Sequence, residues 1–266
     1  MITKNKIDDY IERIPPAPKA LKETLMFLNM GELTKAAKVA ETDLALKTYL
    51  KNIVNKPIYG FRNEVSEISQ IFGILGVAGS KQTVYNYMIT LLSPKKWVLF
   101  KLNASGFHSL QDYLSIQWQK ILTHLNIKDV DIQNAITLLP ASIIITEALF
   151  NEKIQEVKLL RSVKSLDYNT ILQRLCHVDL FDICEQIAQK WEMPNKISEI
   201  LQASSGIKPS HDATINELGK WMHLLLFYEL SKPQIIEAGL NDFIDFQIEY
   251  VEDIYEEFST IIGIEK

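Results

Sequence analysis

Apolar residues recur at helical spacing along nearly the whole chain, and this periodicity limits the fold more than any other feature. The clearest stripe, at intervals of three and four residues, consists of Leu110, Leu114, Trp118, Ile121 and Leu125. Such spacing places side chains on one face of an α-helix. No segment shows the pattern of a convincing strand, and 10 Gly and 9 Pro are too few for an all-β protein full of tight turns. The sequence therefore predicts an all-α protein.

Particular segments refine this prediction. Residues 143–150 are apolar nearly all round, which predicts a helix at the centre of the molecule. Residues 241–262 are predicted to form one last helix with an apolar face and an acidic opposite face. We interpret the acidic face as solvated surface rather than as a docking strip for a basic partner. Gly76 and Gly79 are predicted to break one helix before another begins at Lys81.

The composition is that of an ordinary globular protein, with 266 residues, 47% of them hydrophobic and 23% charged. The net charge of −5 gives no electrostatic reason to bind phosphate backbones, so a nucleic-acid-binding regulator is only a weak third hypothesis. The N-terminus lacks the apolar core of a signal peptide, and no apolar run approaches the roughly 20 residues of a membrane span. Cys176 and Cys184 make no disulfide framework and are predicted to be reduced thiols. We expect a cytoplasmic protein with neither nucleic acid nor membrane as partner.

Three segments and their order carry a family resemblance. They are IPPAPKAL at residues 14–21, AETDLALKTYLKNIVNKPIYG at residues 40–60 and VSEISQIFGILGV at residues 65–77. Together they resemble the HDOD domain family, a metal-free relative of the HD phosphohydrolases. Leu44 stands where the family usually has proline, a departure that concerns the cap of one helix. A weaker similarity continues to Trp191 and Pro194, which match the family's late "W-x-L-P" motif.

The resemblance implies a multi-helix HDOD or HD-like bundle in two packed lobes. The HDOD domain would span residues 8–205, with a first lobe at about 8–92 and a second at about 93–205. Residues 206–266 lie outside the resemblance and are expected to form a helical extension packed on the second lobe. The implied role is that of a non-enzymatic bacterial signal-transduction or regulatory protein acting through protein–protein or small-ligand contacts. Motility and cyclic-di-nucleotide signalling are the associated outputs, the protein partner is unknown, and oligomerisation stays open.

The resemblance also implies that the metal site of the HD phosphohydrolases is missing. The position similar to the eponymous His–Asp pair holds Pro140 and Ala141. The later ligand positions hold Leu180, Ser204 and Ser205. HD enzymes need imidazole and carboxylate ligands to hold metals that activate a water molecule, and these replacements do not supply them. We therefore expect no catalytic residue, no metal and no cofactor.

The alternative hypothesis is a metal-dependent phosphohydrolase with an unusual ligand set, built from His108, His177, Asp179 and His211. The Cys–His–Val–Asp run that contains His177 lacks the repeated Cys or His pairs of a zinc site. We interpret it as a polar helix start beside two buried thiols. The dipeptide formed by His211 and Asp212 directly precedes a predicted helix, and we interpret it as an N-cap.

One cluster is a candidate partner contact. Tyr59, Phe61 and Arg62 flank Gly60 in a predicted turn between two helices. Exposed Tyr and Arg residues are enriched at protein interfaces, so these three side chains form a candidate contact. The alternative, that Tyr59 and Phe61 simply hold the turn in place, stays open at this point.

Overall fold

The protein is helical throughout the part that can be described. The computed structural model describes residues 3–164, 166–240 and 243–264. These residues form helices and connecting segments without any strand, so the all-α prediction is confirmed. The chain divides into two compact units, a smaller one at Pro15–Leu91 and a larger one that combines Met1–Ile14 with Leu92–Lys266.

The α-helices in chain order are α1 (Lys4–Arg13), α2 (Lys19–Asn29), α3 (Leu33–Ala40), α4 (Leu44–Val54), α5 (Ile68–Thr90), α6 (Ala104–His124), α7 (Val130–Asn134), α8 (Leu139–Phe150), α9 (Ile154–Lys164), α10 (Tyr168–Cys176), α11 (Leu180–Lys190), α12 (Asn195–Ala203), α13 (Ala213–Leu230), α14 (Pro233–Ile235), α15 (Ile248–Val251) and α16 (Tyr255–Ile262). Short 3₁₀ turns occur at Pro57–Tyr59, Ala135–Leu138, Asn151–Lys153 and Glu252–Ile254, and a π-turn at Ile236–Leu240.

The smaller unit packs α2, α3, α4 and α5 against one another. Its buried apolar residues include Leu21, Leu28, Leu46, Leu50 and Phe72. The Asp43 side chain caps α4 by accepting hydrogen bonds from the amides of Ala45 and Leu46. Helix α4 is therefore capped although Leu44 replaces the family's proline, because the cap depends on the aspartate and on free amides.

The predicted helix break at Gly76 and Gly79 is wrong in part. Helix α5 runs from Ile68 to Thr90 with a kink at Gly76, whose φ of 65° lies in the left-handed region. Glycine adopts this conformation without the steric penalty of a Cβ atom. After Gly76 the backbone is helical again, so Gly79 lies inside α5. Its carbonyl accepts a hydrogen bond from the hydroxyl of Thr83 at 2.8 Å.

Helix α8 lies at the centre of the larger unit, as predicted, and packs against α1, α6 and α11. Nearly all of its residues are buried. The stretch Val130–Val163, searched among the described residues, is long and apolar enough to cross a membrane, but 89% of its most apolar window is buried inside the protein. The core helix of a globular protein meets the same length and composition criteria.

Helix α1 was expected to lie in the first lobe, at about residues 8–92. It belongs to the larger unit instead. It packs on α8 and α11. The ammonium group of Lys190, in the last turn of α11, donates to the carbonyl groups of Ile11 and Glu12 at 2.7 and 2.9 Å. These two hydrogen bonds tie the C-terminal end of α1 to α11 within the larger unit.

The predicted single last helix is wrong in its first part. Residues 241 and 242 lie outside the described residues, and regular helix begins only at Ile248, continuing through α15, a 3₁₀ turn and α16. The amide of Gln247 donates to the imidazole Nε2 of His223 at 3.1 Å instead of joining a helix. Phe243 is buried among aromatic rings, 6.0 Å from Phe100 between ring centroids. Tertiary contacts thus override the local helical pattern here.

The chain after residue 206 is part of the larger unit. Helix α13 packs on α12 and α6, and α16 packs on α6. The join between α12 and α13 is tight, since a Cβ atom on Gly219 would lie 2.6 Å from the Cβ of Ala203. The Tyr250 hydroxyl lies within 3.0 Å of the carbonyl oxygen of Ala203 and 3.1 Å of that of Asn216, which ties α15 to the same join.

Candidate functional site

The positions that resemble the HD metal ligands are filled by packing residues. All five are buried: Pro140, Ala141, Leu180, Ser204 and Ser205. The Ser204 hydroxyl donates to the carbonyl of Leu201 at 2.6 Å. The Ser205 hydroxyl accepts hydrogen bonds from the amides of Ile207 and Lys208 at 3.2 Å. The two serine hydroxyls are therefore engaged in local hydrogen bonds at the end of α12, and the other three side chains belong to the core.

The histidines of the alternative ligand set occupy different environments. His108 is half-buried in α6, His211 is exposed, and His177 is exposed at the end of α10 with a left-handed φ of 57°. Among residues 3–164, 166–240 and 243–264, no three His, Cys, Asp or Glu side chains lie close enough to hold one metal ion. The structure therefore does not bring His108, His177, Asp179 and His211 together as one ligand set.

Asp179 is the N-cap of α11, which agrees with the polar helix start predicted for this segment. Its carboxylate accepts from the amide of Asp182 at 2.7 Å, and the Asp182 carboxylate accepts from the amide of Asp179 at 3.0 Å. The ammonium group of Lys208 lies 2.9 Å from Asp179 and 2.5 Å from Asp182. Burial raises the pKa of Asp182, but hydrogen bonds from Lys208 and the Asp179 amide outweigh it and leave that pKa lowered. Asp179 and Asp182 thus hold the segment that contains Lys208 against the N-terminus of α11.

The two cysteines are buried thiols, and neither lies in a disulfide. Burial raises the pKa of Cys176 and of Cys184, and the nearby carboxylate of Asp179 adds to the effect on Cys184. A raised pKa keeps a cysteine in its unreactive thiol form at neutral pH. This environment confirms the prediction of reduced thiols and is opposite to that of a catalytic cysteine.

The dipeptide formed by His211 and Asp212 starts a helix, as predicted. The Asp212 side chain accepts hydrogen bonds from the amides of Thr214 and Ile215 at 2.8 and 3.1 Å. These donors are two of the orphan amides of α13, so the aspartate is the N-cap.

His223 is a structural histidine at the join of α12 and α13. It is buried, and its Nδ1 donates to the carbonyl of Ser204 at 2.8 Å while Nε2 accepts from the amide of Gln247. Its ring stacks on Phe246 with centroids 5.6 Å apart. Burial lowers the pKa of His223 to about 4, against a smaller opposite effect of the Ser204 carbonyl. The neutral imidazole therefore holds the segment before α15 in place.

Glu147 is an anchoring residue that the sequence analysis missed. Its carboxylate is fully buried in α8 and accepts hydrogen bonds from the amides of three consecutive residues, Val98, Leu99 and Phe100, at 2.6–3.1 Å. A charged acceptor that binds several backbone amides is well compensated for its burial. A glutamate within an apolar helix was the available signal, but its partners lie 47 to 49 residues away.

The predicted partner contact forms an exposed patch on the smaller unit, which we call the aromatic–basic patch (Tyr59, Phe61 and Arg62). Tyr59 is 38% exposed and Phe61 45% exposed, and their rings stack with centroids 6.4 Å apart. The loop that carries them is closed by Asn55, whose side chain exchanges two hydrogen bonds with the backbone of Val65 at 2.9 and 2.8 Å. Asn55 thus joins the two ends of the loop, and the two aromatic rings are exposed on its surface.

The cavities lined by described residues of the larger unit include the following two, neither of which the sequence analysis found. The Glu229 cavity, of about 300 Å³, lies between the start of α6 and the end of α13, and its polar lining includes Lys101, Tyr113, Glu229 and Lys232. The Arg161 cavity, of about 570 Å³, has a mixed lining in which Arg161, Asp167 and Asp245 lie beside apolar residues such as Phe227 and Phe243. Both assemble from distant segments, so no local sequence pattern reveals them.

The described residues form an all-α, multi-helix domain, and packing residues occupy the positions that the sequence analysis compared with the HD ligands. The family model described as the HDOD domain matches residues 14–206, which is most of the chain. The chain therefore belongs to the HDOD domain family, and the resemblance seen in the sequence is confirmed. A comparison with curated proteins finds no match.

Solved structures support the same fold. An HDOD domain protein of unknown function from Geobacter sulfurreducens superposes with a TM-score of 0.65 at 14% identity, over 98% of this chain and 95% of that one. A protein from Marinobacter aquaeolei VT8, provisionally named a signal transduction protein, gives a TM-score of 0.61 at 15% identity over 97% of this chain. This chain spans 60% of the length of the Marinobacter protein. At such identities the likeness concerns the fold alone.

Proposed function

We propose that this chain is a non-enzymatic bacterial regulatory protein of HDOD type, acting in the cytoplasm through protein–protein or small-ligand contacts. One observation carries the proposal: the five positions that resemble HD ligands are buried, and the three that are not serine offer no ligand atom. Metal-assisted hydrolysis needs side chains that hold the ion and leave an open position for water. A packed core at these positions supports a binding role over hydrolysis.

The aromatic–basic patch is the proposed protein contact. Interface hot spots favour Tyr and Arg, and a stacked aromatic pair beside an arginine offers large apolar area together with a charge. The clasp between Asn55 and Val65 holds the loop in one conformation, so little ordering entropy would be lost on binding. The family resemblance favours signalling or motility components as partners, with cyclic-di-nucleotide pathways among the outputs.

The enzymatic alternative has a direct test. The protein would be purified without chelators, analysed for metals and assayed with a generic phosphodiesterase substrate and added manganese. We expect far less than one metal ion per chain and no turnover above the buffer control. Stoichiometric metal with turnover that disappears in His177→Gln, a variant of an exposed histidine, would establish the hydrolase instead.

The patch is tested by capture of partners from the native cytoplasm. The double variant Tyr59→Ala, Phe61→Ala should lower the yield of a specifically captured protein by on the order of tenfold or more, since hot-spot truncation costs about 2 kcal/mol. The matched control is Met30→Ala, an exposed apolar residue of the same unit with 62% exposure. Equal loss in both variants, or no loss in the double variant, would move the contact away from the patch.

A further inference from the structure

Two exposed surfaces of opposite charge lie on the larger unit. The first, which we call the basic loop, carries three exposed lysines, Lys95, Lys96 and Lys101, and none of them forms an ion pair with a described residue. Its backbone is held by the Glu147 carboxylate, which binds the amides of residues 98–100, and by the Lys101 amide, which donates to the carbonyl of Ala238 at 2.8 Å. The loop therefore needs little ordering when it binds a partner.

The second surface, which we call the acidic helix face, is formed by α15, the following 3₁₀ turn and α16. Two large apolar side chains on it are in contact with solvent, since Ile248 is 64% exposed and Tyr255 is 52% exposed. They are seven residues apart, about two helical turns, so they lie on the same side of the helix. Exposed carboxylates border them, namely those of Glu249, Glu252 and Glu256. Exposed apolar residues with a polar rim are typical of an interaction surface.

The carboxylates of the acidic helix face are not used within the described part of the chain. Two other acidic residues of the same segment have partners, because Asp253 pairs with Lys220 and Glu257 with His124. The remaining three form no ion pair with a described residue: Glu249, Glu252 and Glu256. Glutamates three and four residues apart repel one another on a helix surface, and cations supplied by another molecule would remove this repulsion.

An apolar strip joins the two surfaces. Ile236 and Phe246 are both exposed and line the same cavity. Ile236 precedes by two residues the carbonyl group that binds the Lys101 amide, and Phe246 precedes Ile248 by two residues. The basic loop and the acidic helix face therefore flank one strip, and basic, apolar and acidic groups follow one another across it.

We propose that the larger unit binds a second copy of this chain, with the basic loop of each copy on the acidic helix face of the other and the apolar strips at the centre. A surface with cations at one end and anions at the other is complementary to itself, because a two-fold rotation brings each end against the opposite end of the partner. The three exposed lysines match the three glutamates in number. The lysine stems cover Ile248 and Tyr255 while their ammonium groups reach the carboxylates, and an ammonium group over the Tyr255 ring adds a cation–π contact.

Sedimentation velocity of the full chain over a range of concentrations tests this interface. At about 50 mM salt the dimer fraction should rise with protein concentration. At about 500 mM salt the dissociation constant should be on the order of tenfold higher, because salt screens charges that are in contact with solvent. A chain that stays monomeric at all concentrations would leave this surface to a different protein and overturn the proposal.

Charge reversal gives a sharper test. One variant reverses the basic loop with Lys95→Glu, Lys96→Glu and Lys101→Glu, and the other reverses the acidic helix face with Glu249→Lys, Glu252→Lys and Glu256→Lys. Each variant alone should be monomeric, since its loop and its partner's face now carry charges of the same sign. An equimolar mixture should form a one-to-one heterodimer, because the acidic loop of one variant meets the basic face of the other and the second contact joins two unchanged surfaces.

A third variant separates the specific contact from the effect of net charge. It reverses three exposed lysines outside the basic loop, with Lys4→Glu, Lys38→Glu and Lys128→Glu, and should dimerise like the unaltered chain. Circular dichroism checks that all variants are folded. Absence of the heterodimer from the mixture, or equal loss of dimer in the third variant, would overturn the proposal. The interface does not include the aromatic–basic patch, so neither result bears on the proposed function.

Discussion

Gly219 shows how one missing methyl group permits a close helix crossing. A Cβ atom at this residue would lie 2.6 Å from that of Ala203 and 2.8 Å from the Tyr250 hydroxyl. Gly219→Ala must therefore push α12 and α13 apart, and we expect it to lower the free energy of unfolding by about 1–3 kcal/mol despite the better helix propensity of alanine. Urea denaturation measures the change.

The matched control is Gly73→Ala in α5, where an added Cβ atom meets no atom within 4 Å. Removing a helical glycine from an open position should raise stability by up to about 1 kcal/mol. Opposite signs for the two substitutions are the expected result. A neutral or stabilising Gly219→Ala would mean that the helices separate easily.

The second residue-scale prediction concerns pH and His223. Its pKa is about 4 in the folded protein, against 6.5 for an unperturbed histidine, so the unfolded chain binds the proton more readily between these values. Stability should fall as the pH is lowered from about 6.5 to about 4, by roughly 3 kcal/mol in total. Urea denaturation at several pH values measures this slope.

His223→Phe removes the titrating group and should flatten the slope, although it also removes the hydrogen bonds to Ser204 and Gln247. His211→Gln, at an exposed histidine, is the control and should keep the wild-type slope. An unchanged slope in His223→Phe would assign the pH dependence to other groups.

Individual residues could be assigned a role from the sequence where their hydrogen-bond partners are close to them in the chain. The caps at Asp43 and Asp212 were predictable because donor and acceptor are only two or three residues apart. The partners of His223 lie 19 and 24 residues away, and those of Glu147 lie farther still. Long-range hydrogen bonds of this kind leave no periodic pattern in the sequence. The partners of His223 and Glu147 therefore could not be predicted from residue types alone.

At the scale of elements, helices were predicted correctly where local periodicity decides the structure and incorrectly where long-range hydrogen bonds decide it. Helix α6 follows its apolar stripe closely, and α8 is as central as its composition indicated. The last predicted helix failed at its start because the backbone of Gln247 binds His223. Hydrophobic periodicity records which side chains can be buried, but not whether a backbone amide has found a partner outside its own helix.

The anchoring of residues 98–100 by α8 gives an element-scale prediction. Glu147→Gln replaces one carboxylate oxygen by an NH₂ group that faces backbone donors, so we expect a loss of about 1.5–3 kcal/mol in stability. Hydrogen exchange at the amides of Val98, Leu99 and Phe100 should accelerate more than exchange in α12. Glu199→Gln, at an exposed position of α12, is the control. Unchanged protection of the three amides would remove the anchoring role.

At the scale of the whole molecule, sequence pattern identified the class and the family, since helical periodicity and ordered motifs both extend over most of the chain. It did not identify the unit to which α1 belongs, because the partners of α1, such as Lys190 of α11, are about 180 residues away in the sequence. It also missed the Glu229 cavity, whose walls become neighbours only after folding. The members of the aromatic–basic patch could be grouped from the sequence because they lie within four residues of one another.

The carboxylate of Glu147 recognises peptide N–H groups, and this has a consequence for how such a chain can diverge. Any residue other than proline supplies the same N–H, so the exposed side chain at position 98 is free to change while the loop stays in its place. Val98 is 51% exposed and faces no packing demand. A mutational scan should therefore find position 147 nearly invariant and position 98 permissive except for proline. Related proteins could thus alter the surface chemistry of this loop without altering the scaffold that carries it.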